Sequence, residues 1–315
     1  MIKVVLKRKV EEWLSSITDP HLVELLKKNI IVTGGSIVSM LLKEKVKDFD
    51  VYFRTKEVAK AVADYYVALF KKNPPSRFVP GYRKGDDIPI TVEEFVDWRA
   101  NERIRINIKS AGIASSQGTS DYQYFEQNLD PETNDAGEYV DQAIQVAEDE
   151  AKADVAEKFR PVFLSANAIM LTDKMQLVIR FWGEPEEIHK NYDFVHCTCW
   201  WDSATGKLEL PAEALKAILT KELRYVGSLY PVCSIIRTRK FVQRGWYINA
   251  GQFLKMIFQC GQLELTNLKV LEDQLTGVDA AYFTEVINKL REKMETEDAK
   301  TIDQTYLMEI IDRIF

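Results

Sequence analysis

Two aspartates and a glycine pair are the residues best suited to chemistry. Asp48 and Asp50 stand in the stretch Lys47-Asp48-Phe49-Asp50-Val51-Tyr52-Phe53, where polar and apolar residues alternate. A period of two puts Asp48, Asp50 and Tyr52 on one face of a strand and sends Phe49, Val51 and Phe53 into a core. Carboxylates so placed can share a hard divalent cation, Mg2+ or Mn2+, which prefers oxygen ligands. Upstream, Gly34-Gly35-Ser36 follow the β-branched run Ile30-Ile31-Val32 and precede Ile37, Met40 and Leu41 at helical spacing. A glycine turn that opens a helix offers backbone N–H groups and a positive dipole end to phosphates. The two features together suit a metal–triphosphate, with Gly34, Gly35 and Ser36 on the phosphates and Asp48 and Asp50 on the metal.

The elements that must position these residues form a strand, a tight turn, a helix and a second strand. Ahead of them, residues 10–28 carry an apolar stripe of Trp13, Leu14, Leu22, Leu25 and Leu26, a helix with an interruption near Asp19-Pro20. Behind them, residues 55–72 read as an amphipathic helix that Asn73-Pro74-Pro75 ends. Residues 80–161 fit this unit poorly and read as an insertion. Within it, 81–89 are turn-rich, Ile104, Ile106 and Ile108 alternate like a half-exposed strand, 110–135 form a polar loop, and 139–159 form an acidic helix. Strands resume at 168–171 and 176–182, joined by the hairpin signal Thr172-Asp173-Lys174, and 185–190 make a short helical turn. Asp193 then opens an aromatic, β-branched strand expected to stand beside Asp48 and Asp50. Residues 251–315 are helical, with Phe253, Leu254, Ile257 and Phe258, and later Leu307, Ile310, Ile311 and Ile314, as apolar stripes expected to pack inward.

Composition bounds the rest. A chain of 315 residues can build two domains or one elaborated domain. Its first ten residues are too basic, and too short in apolar run, for a secretory signal, and its apolar stretches are interrupted by charges, so a cytoplasmic setting without a membrane is expected. The net charge of −6 is unevenly spread: acids dominate 121–157, whereas Arg224, Arg237, Arg239, Lys240 and Arg244 make 221–244 basic. Four cysteines supply no disulfide framework. Cys197 and Cys199, with His189 and His196 close in sequence, lack a second ligand pair at zinc spacing and read as core cysteines on a strand.

The Gly-Gly-Ser turn, the helix and the Asp-x-Asp strand together resemble the signature of the polymerase-beta-like nucleotidyltransferases. Two further stretches narrow the resemblance to class II CCA-adding enzymes and bacterial poly(A) polymerases. Asp193-Phe194 is similar to the Asp-Phe of that family's Arg-Arg-Asp-Phe motif. Arg237-Thr238-Arg239-Lys240-Phe241 through Arg244-Gly245-Trp246 resembles the helix after its nucleotide-recognition motif. The resemblance covers about a third of the chain. It implies an NTP-dependent transfer of a nucleoside monophosphate to a hydroxyl, with Asp48, Asp50 and Asp193 catalytic and Asp193 either a third metal ligand or a ribose contact. Arg237, Lys240 and Arg244 would meet phosphates, and an RNA 3′ end, tRNA-like, would be the acceptor. The departures are as informative: Val38-Ser39 stand for the family's Arg-Asp, Asn191-Tyr192 for its paired arginines, and Leu229 to Cys233 for its base-reading Glu-Asp-x-x-Arg. Base selection must therefore be different, relaxed or absent.

The expected architecture is α/β: a nucleotidyltransferase-like mixed-sheet head from 1–75 and 160–220, a large insertion at 76–159, and a helical neck and C-terminal domain at 221–315. Two other functions fit the same residues. One is a transferase that modifies a protein or small molecule; the other is a catalytically dead descendant that binds nucleotide or RNA or serves an assembly.

Overall fold

The computed structural model describes residues 1–73, 90–97, 99–108, 158–276 and 281–314. The expected turn-rich segment 81–89, the polar loop 110–135 and nearly all of the acidic helix 139–159 lie outside these residues.

The chain opens with helices α1 (Ile2–Ser16) and α2 (Pro20–Leu26). The break falls at Asp19-Pro20, where the Asp19 carboxylate accepts the N–H groups of His21 and Leu22 and caps the second helix. The first helix starts earlier than the sequence pattern indicates, at Ile2, and buries Leu6, Val10 and Trp13. Strand β1 (Ile30–Thr33), helix α3 (Gly35–Leu41), strand β2 (Phe49–Phe53) and helix α4 (Lys56–Lys72) follow. Thr55 caps the last of these through its hydroxyl and the Val58 N–H. Strands β3 (Ile90–Val96) and β4 (Glu102–Ile108) pair as a separate antiparallel hairpin, with Ile104 and Ile106 buried as the alternation requires.

Strands β5 (Pro161–Leu164), β6 (Ala168–Leu171) and β7 (Met175–Trp182) lead to helix α5 (Pro185–His189). Strands β8 (Trp200–Asp202) and β9 (Leu208–Glu209) and helix α6 (Ala212–Thr220) complete this part. One seven-stranded mixed sheet results, in the order β5-β6-β7-β2-β1-β8-β9. Its neighbours are antiparallel except β2 and β7, which run parallel. The rest is helical: α7 (Pro231–Gln243), α8 (Ala250–Cys260), α9 (Leu268–Thr276), α10 (Ala281–Glu297) and α11 (Gln304–Ile314). This is the mixed α/β architecture with a C-terminal helical region that the sequence indicates. No helix among the described residues is long and apolar enough to cross a membrane.

The main core lies on one face of the sheet. Phe49, Val51 and Phe53 of β2 meet Leu6, Trp13 and Leu26 from the first two helices and Val58, Val62 and Tyr66 from α4. A second cluster of Leu271, Leu275, Val286, Leu290 and Ile310 is internal to the C-terminal helices.

Two expectations are corrected. The segment after Asp193 is not a strand: Val195–Thr198 form a 3-10 turn and strand pairing begins at Trp200. Cys197 and Cys199 therefore do not share a strand face; both thiols are free. The stripe on α8 does not pack inward either. Phe253, Leu254, Ile257 and Phe258 are exposed, while Gln252, Met256 and Gln259 face the protein. The irregular backbone of residues 225–228 needs hydrogen-bond partners, and the two glutamines supply them: Gln252 accepts the Tyr225 N–H, and Gln259 donates to Ser228 O at 2.8 Å.

The first helix is pinned to α4 by one buried polar contact, Trp13 Nε1–H donating to the Tyr66 hydroxyl at 2.6 Å. Tyr66→Phe strands the indole N–H in the core and is expected to destabilise the fold by about 1–3 kcal/mol. Urea denaturation checks this; an unchanged midpoint would show that the bond contributes nothing net.

Candidate active site

Strand register brings the glycine turn to the carboxylate. In the antiparallel pairing of β1 with β2, Thr33 stands opposite Asp50, so the turn that follows Thr33 begins beside the aspartate. Gly34 adopts φ +91°, a backbone region that favours glycine. A Cβ at this position would lie 3.0 Å from Asp50 Oδ2 and 3.5 Å from the Tyr192 hydroxyl. Conformation and space therefore both demand glycine here. Ser36 follows in the first turn of α3; it is buried, and its Oγ has no hydrogen-bond partner among the described residues. A buried hydroxyl left so is suited to a ligand's oxygen.

Asp50 lies on the strand, and Asp48 lies just before it rather than on it. Burial, and then the charge of Asp48, hold the Asp50 carboxyl well above the ordinary carboxylate range. The oxygens of two such carboxylates are of the hard kind that Mg2+ or Mn2+ takes. Among the described residues no three acidic, histidine or cysteine side chains gather as a metal cluster. A magnesium ion needs only one or two protein carboxylates when triphosphate oxygens and water complete its shell.

Asp193 is engaged elsewhere. Arg237 grips it with a fork, Nε to Oδ2 at 2.7 Å and Nη2 to Oδ1 at 3.0 Å. Burial pushes the Asp193 carboxyl up and Arg237 pulls it back, with burial the larger effect. The pocket is nonetheless shared, because the Cys197 thiol, raised mainly by burial, is raised further by both Asp193 and Asp50. Asp50 and Asp193 thus both lie near the Cys197 thiol, each with its own partner. Of the basic residues expected at phosphates, Arg237 is held by Asp193, Lys240 is exposed, and the exposed Arg244 lies 3.6 Å from Glu44, which also pairs with Lys221 at 3.0 Å.

Aromatic residues complete the site, and sequence pattern alone assigns only Tyr52 to it. Tyr52 shares the Asp50 face, as alternation predicts, and hydrogen-bonds the buried Tyr192 phenol. His189 Nε2 lies 2.9 Å from Thr33 Oγ1, which itself donates to Cys199 O at 2.9 Å. Burial holds the His189 pKa down at about 4, which favours the neutral ring. His196 is a different case. It sits in a box of Phe194, Phe241 and Trp246, 4.1 Å between ring centroids for the last, and burial lowers its pKa to about 3. It is a neutral core ring.

Comparison with known proteins follows from here. The family model described as Gabija anti-defense 2 family protein matches residues 4–221. A curated protein, Gabija anti-defense 2 of Bacillus phage SPbetaL7, is 22% identical over 151 residues, 45% of this chain and 38% of that protein. The match thus spans well under half of the relative's length. A solved structure, the Thermotoga maritima CCA-adding enzyme complexed with tRNA_CCA, aligns over 92% of this chain and 54% of its own at 14% identity, with a TM-score of 0.35. A score of that size establishes no common fold.

The raised Asp50 carboxyl has a consequence for stability. Its folded state prefers the neutral acid, so ionisation opposes folding: the full stability is present below the unfolded value of about 4 and declines as pH rises toward the folded one. Asp50→Asn is therefore expected to stabilise the chelator-treated protein at about pH 7 and to change little near pH 4. Urea midpoints at the two pH values test it, and equal midpoints for both proteins at neutral pH would contradict it.

Proposed function

The chain belongs to the Gabija anti-defense 2 family, and we propose that it is a metal-dependent nucleotidyltransferase that moves a nucleoside monophosphate from a nucleoside triphosphate to a hydroxyl. The observation that carries this reading is the approach of Gly34 to Asp50: the turn suited to phosphates lies against the carboxylate suited to a metal, with 3.0 Å left for a Cβ.

Asp48 and Asp50 would hold Mg2+ or Mn2+. When bound, the metal neutralises triphosphate charge and activates the attacking hydroxyl. The remaining work falls to the chain. Gly34 and Gly35 offer backbone N–H groups to the phosphates, and Ser36 adds its buried hydroxyl. Tyr192 and Tyr52 exclude water from the Asp50 side of the pocket, which strengthens each charge interaction inside it. Asp193 orients Arg237 and is left to meet the ribose rather than the metal. Lys240 and Arg244, exposed on and beside α7, are placed to meet a polyanion.

Two acceptors are supported by different observations. The exposed Arg239, Lys240 and Arg244 favour the 3′ hydroxyl of an RNA such as tRNA. Membership of a family named for acting against Gabija defence favours a hydroxyl on a defence component instead. Either way the chemistry at the metal is the same, and it would disarm a target by attaching a nucleotide.

The purified chain should therefore incorporate α-labelled nucleotide, in the presence of Mg2+ or Mn2+, into total RNA or into protein from cells carrying a Gabija system. Asp48→Asn and Asp50→Asn should reduce the label to background while circular dichroism stays unchanged. Undiminished labelling by both variants would remove the metal site from the mechanism. Absence of labelling by the wild type, with nucleotide still bound, would favour a binding protein descended from an enzyme.

A further inference from the structure

The apolar stripe that α8 turns away from the core lines an open groove. Phe253, Leu254, Ile257 and Phe258 recur at i, i+1, i+4 and i+5, which keeps them on one side of the helix. Leu254, Ile257 and Phe258 are 53%, 60% and 70% exposed. The facing wall is the irregular backbone of residues 225–228, where Val226 is exposed as well. Between wall and helix lies a cavity of about 520 Å³, lined by Tyr225, Val226, Leu254, Lys255, Phe258 and Gln262 among others. Large apolar side chains grouped around a concave surface mark a contact with another molecule.

Both walls are held in place by the chain itself. Gln252 and Gln259 fasten α8 to the 225–228 backbone, and the Asn249 carboxamide caps the helix by accepting the Gln252 N–H at 3.2 Å. Behind the groove, Val226 N–H donates to Asp193 O at 2.9 Å, and the Tyr225 ring meets Phe194 with centroids 6.1 Å apart. The inner wall of the groove therefore adjoins the segment that carries Asp193.

Charge narrows what can sit there. Residues 223–263 contain six cations, Arg224, Arg237, Arg239, Lys240, Arg244 and Lys255, and no acid. Arg224 pairs with Glu213, Arg237 with Asp193, and Arg244 lies 3.6 Å from Glu44. Arg239, Lys240 and Lys255 have no carboxylate partner among the described residues, and Lys255 is the charged side chain of the groove lining. An acidic partner is thus favoured over a basic one. Val226, Leu254 and Ile257 give a phosphate no donor and a base no ring to stack on, so the lining suits apolar side chains better than a polynucleotide.

We propose that this groove docks an acidic amphipathic helix of a partner protein. Apolar side chains at i, i+4 and i+7 of that helix fill the groove along Val226, Leu254 and Phe258, and a carboxylate on its flank meets Lys255. Helix α8 runs 11 residues, so about three turns of partner helix span its length. The inference goes beyond nucleotide transfer and does not depend on the chemistry at Asp48 and Asp50.

A displayed library of random peptides of about 15 residues, roughly four helical turns, selected on the full chain, tests this. Selection should enrich net-acidic peptides with apolar residues at helical spacing. In fluorescence anisotropy, Leu254→Glu and Phe258→Glu should each weaken the enriched peptides at least about tenfold, as loss of an apolar anchor does. Lys255→Glu should weaken them too, and the circular dichroism of all three variants should match the wild type, because the replaced side chains are exposed. No enrichment, enrichment of basic peptides, or equal binding by wild type and Leu254→Glu overturns the inference. A labelled single-stranded RNA that the wild type binds and Leu254→Glu loses overturns it in favour of a polynucleotide surface. A dimer in sedimentation equilibrium that Phe258→Glu dissociates overturns it in favour of a second copy of this chain.

Discussion

The site depends on one close approach, that of the Gly34 backbone to the Asp50 carboxylate. Pairing of β1 with β2 sets Thr33 opposite Asp50 and thereby fixes where the turn begins. The positive φ of Gly34 then carries the chain across the carboxylate instead of away from it. No other residue satisfies both conditions, because a side chain would meet Oδ2 and would strain the backbone as well. A phosphate bound by this turn is necessarily next to the oxygen that would bind the metal. The proposed chemistry rests on that adjacency more than on any single side chain.

This arrangement works against folding, and the rest of the molecule compensates. Asp50 prefers the neutral acid, Asp193 is desolvated, and the Ser36 hydroxyl is buried without a partner among the described residues. Each of these costs stability in the ligand-free protein; Arg237 offsets part of it at Asp193, and a cation at Asp50 and a ligand oxygen at Ser36 would offset the others. The opposite face of the same strand supplies the counterweight, where Val51 and Phe53 are fully buried against the first helices and α4. Burial of one large apolar side chain contributes about 2 kcal/mol, so this half of the strand can carry the strained half. Alternation in one short stretch thus serves both stability and function.

Local pattern is what made part of this legible. The Gly-Gly-Ser turn, Asp50, the break at Asp19-Pro20 and the Thr172–Lys174 hairpin are set by near neighbours, and their residue types announce them. What was not legible depends on partners distant in sequence. The fork of Arg237 on Asp193 joins residues 44 apart in sequence, and neither residue type announces the other. The stripe on α8 reads as core until the backbone of 225–228 claims the glutamines on its other side. The strand expected after Asp193 yields to a 3-10 turn because Val195 N–H bonds Arg224 O and Thr198 Oγ1 bonds Val195 O, which removes that stretch from the sheet. In each case a polar group that had to be satisfied overrode an apolar or charged pattern.

The helical region is joined to the site by two sets of ion pairs of unequal weight. Glu44, on the segment between α3 and β2, faces Lys221 and Arg244, and all three are a third or more exposed. Such pairs contribute between nothing and about 1 kcal/mol. Arg237 and Asp193 differ: the carboxylate is 7% exposed and both its oxygens are taken by one guanidinium. Removing one partner there would leave a buried charge uncompensated, which costs about 3–5 kcal/mol. The position of α7 relative to the carboxylates is therefore set by this pair. Because Tyr230 and Lys240 lie at the start and near the end of the same helix, their placement relative to Asp193 is fixed through Arg237. The basic stretch that reads in sequence as a surface for phosphates thus has a structural task at Arg237, whereas Arg239, Lys240 and Arg244 stand exposed on its outward side.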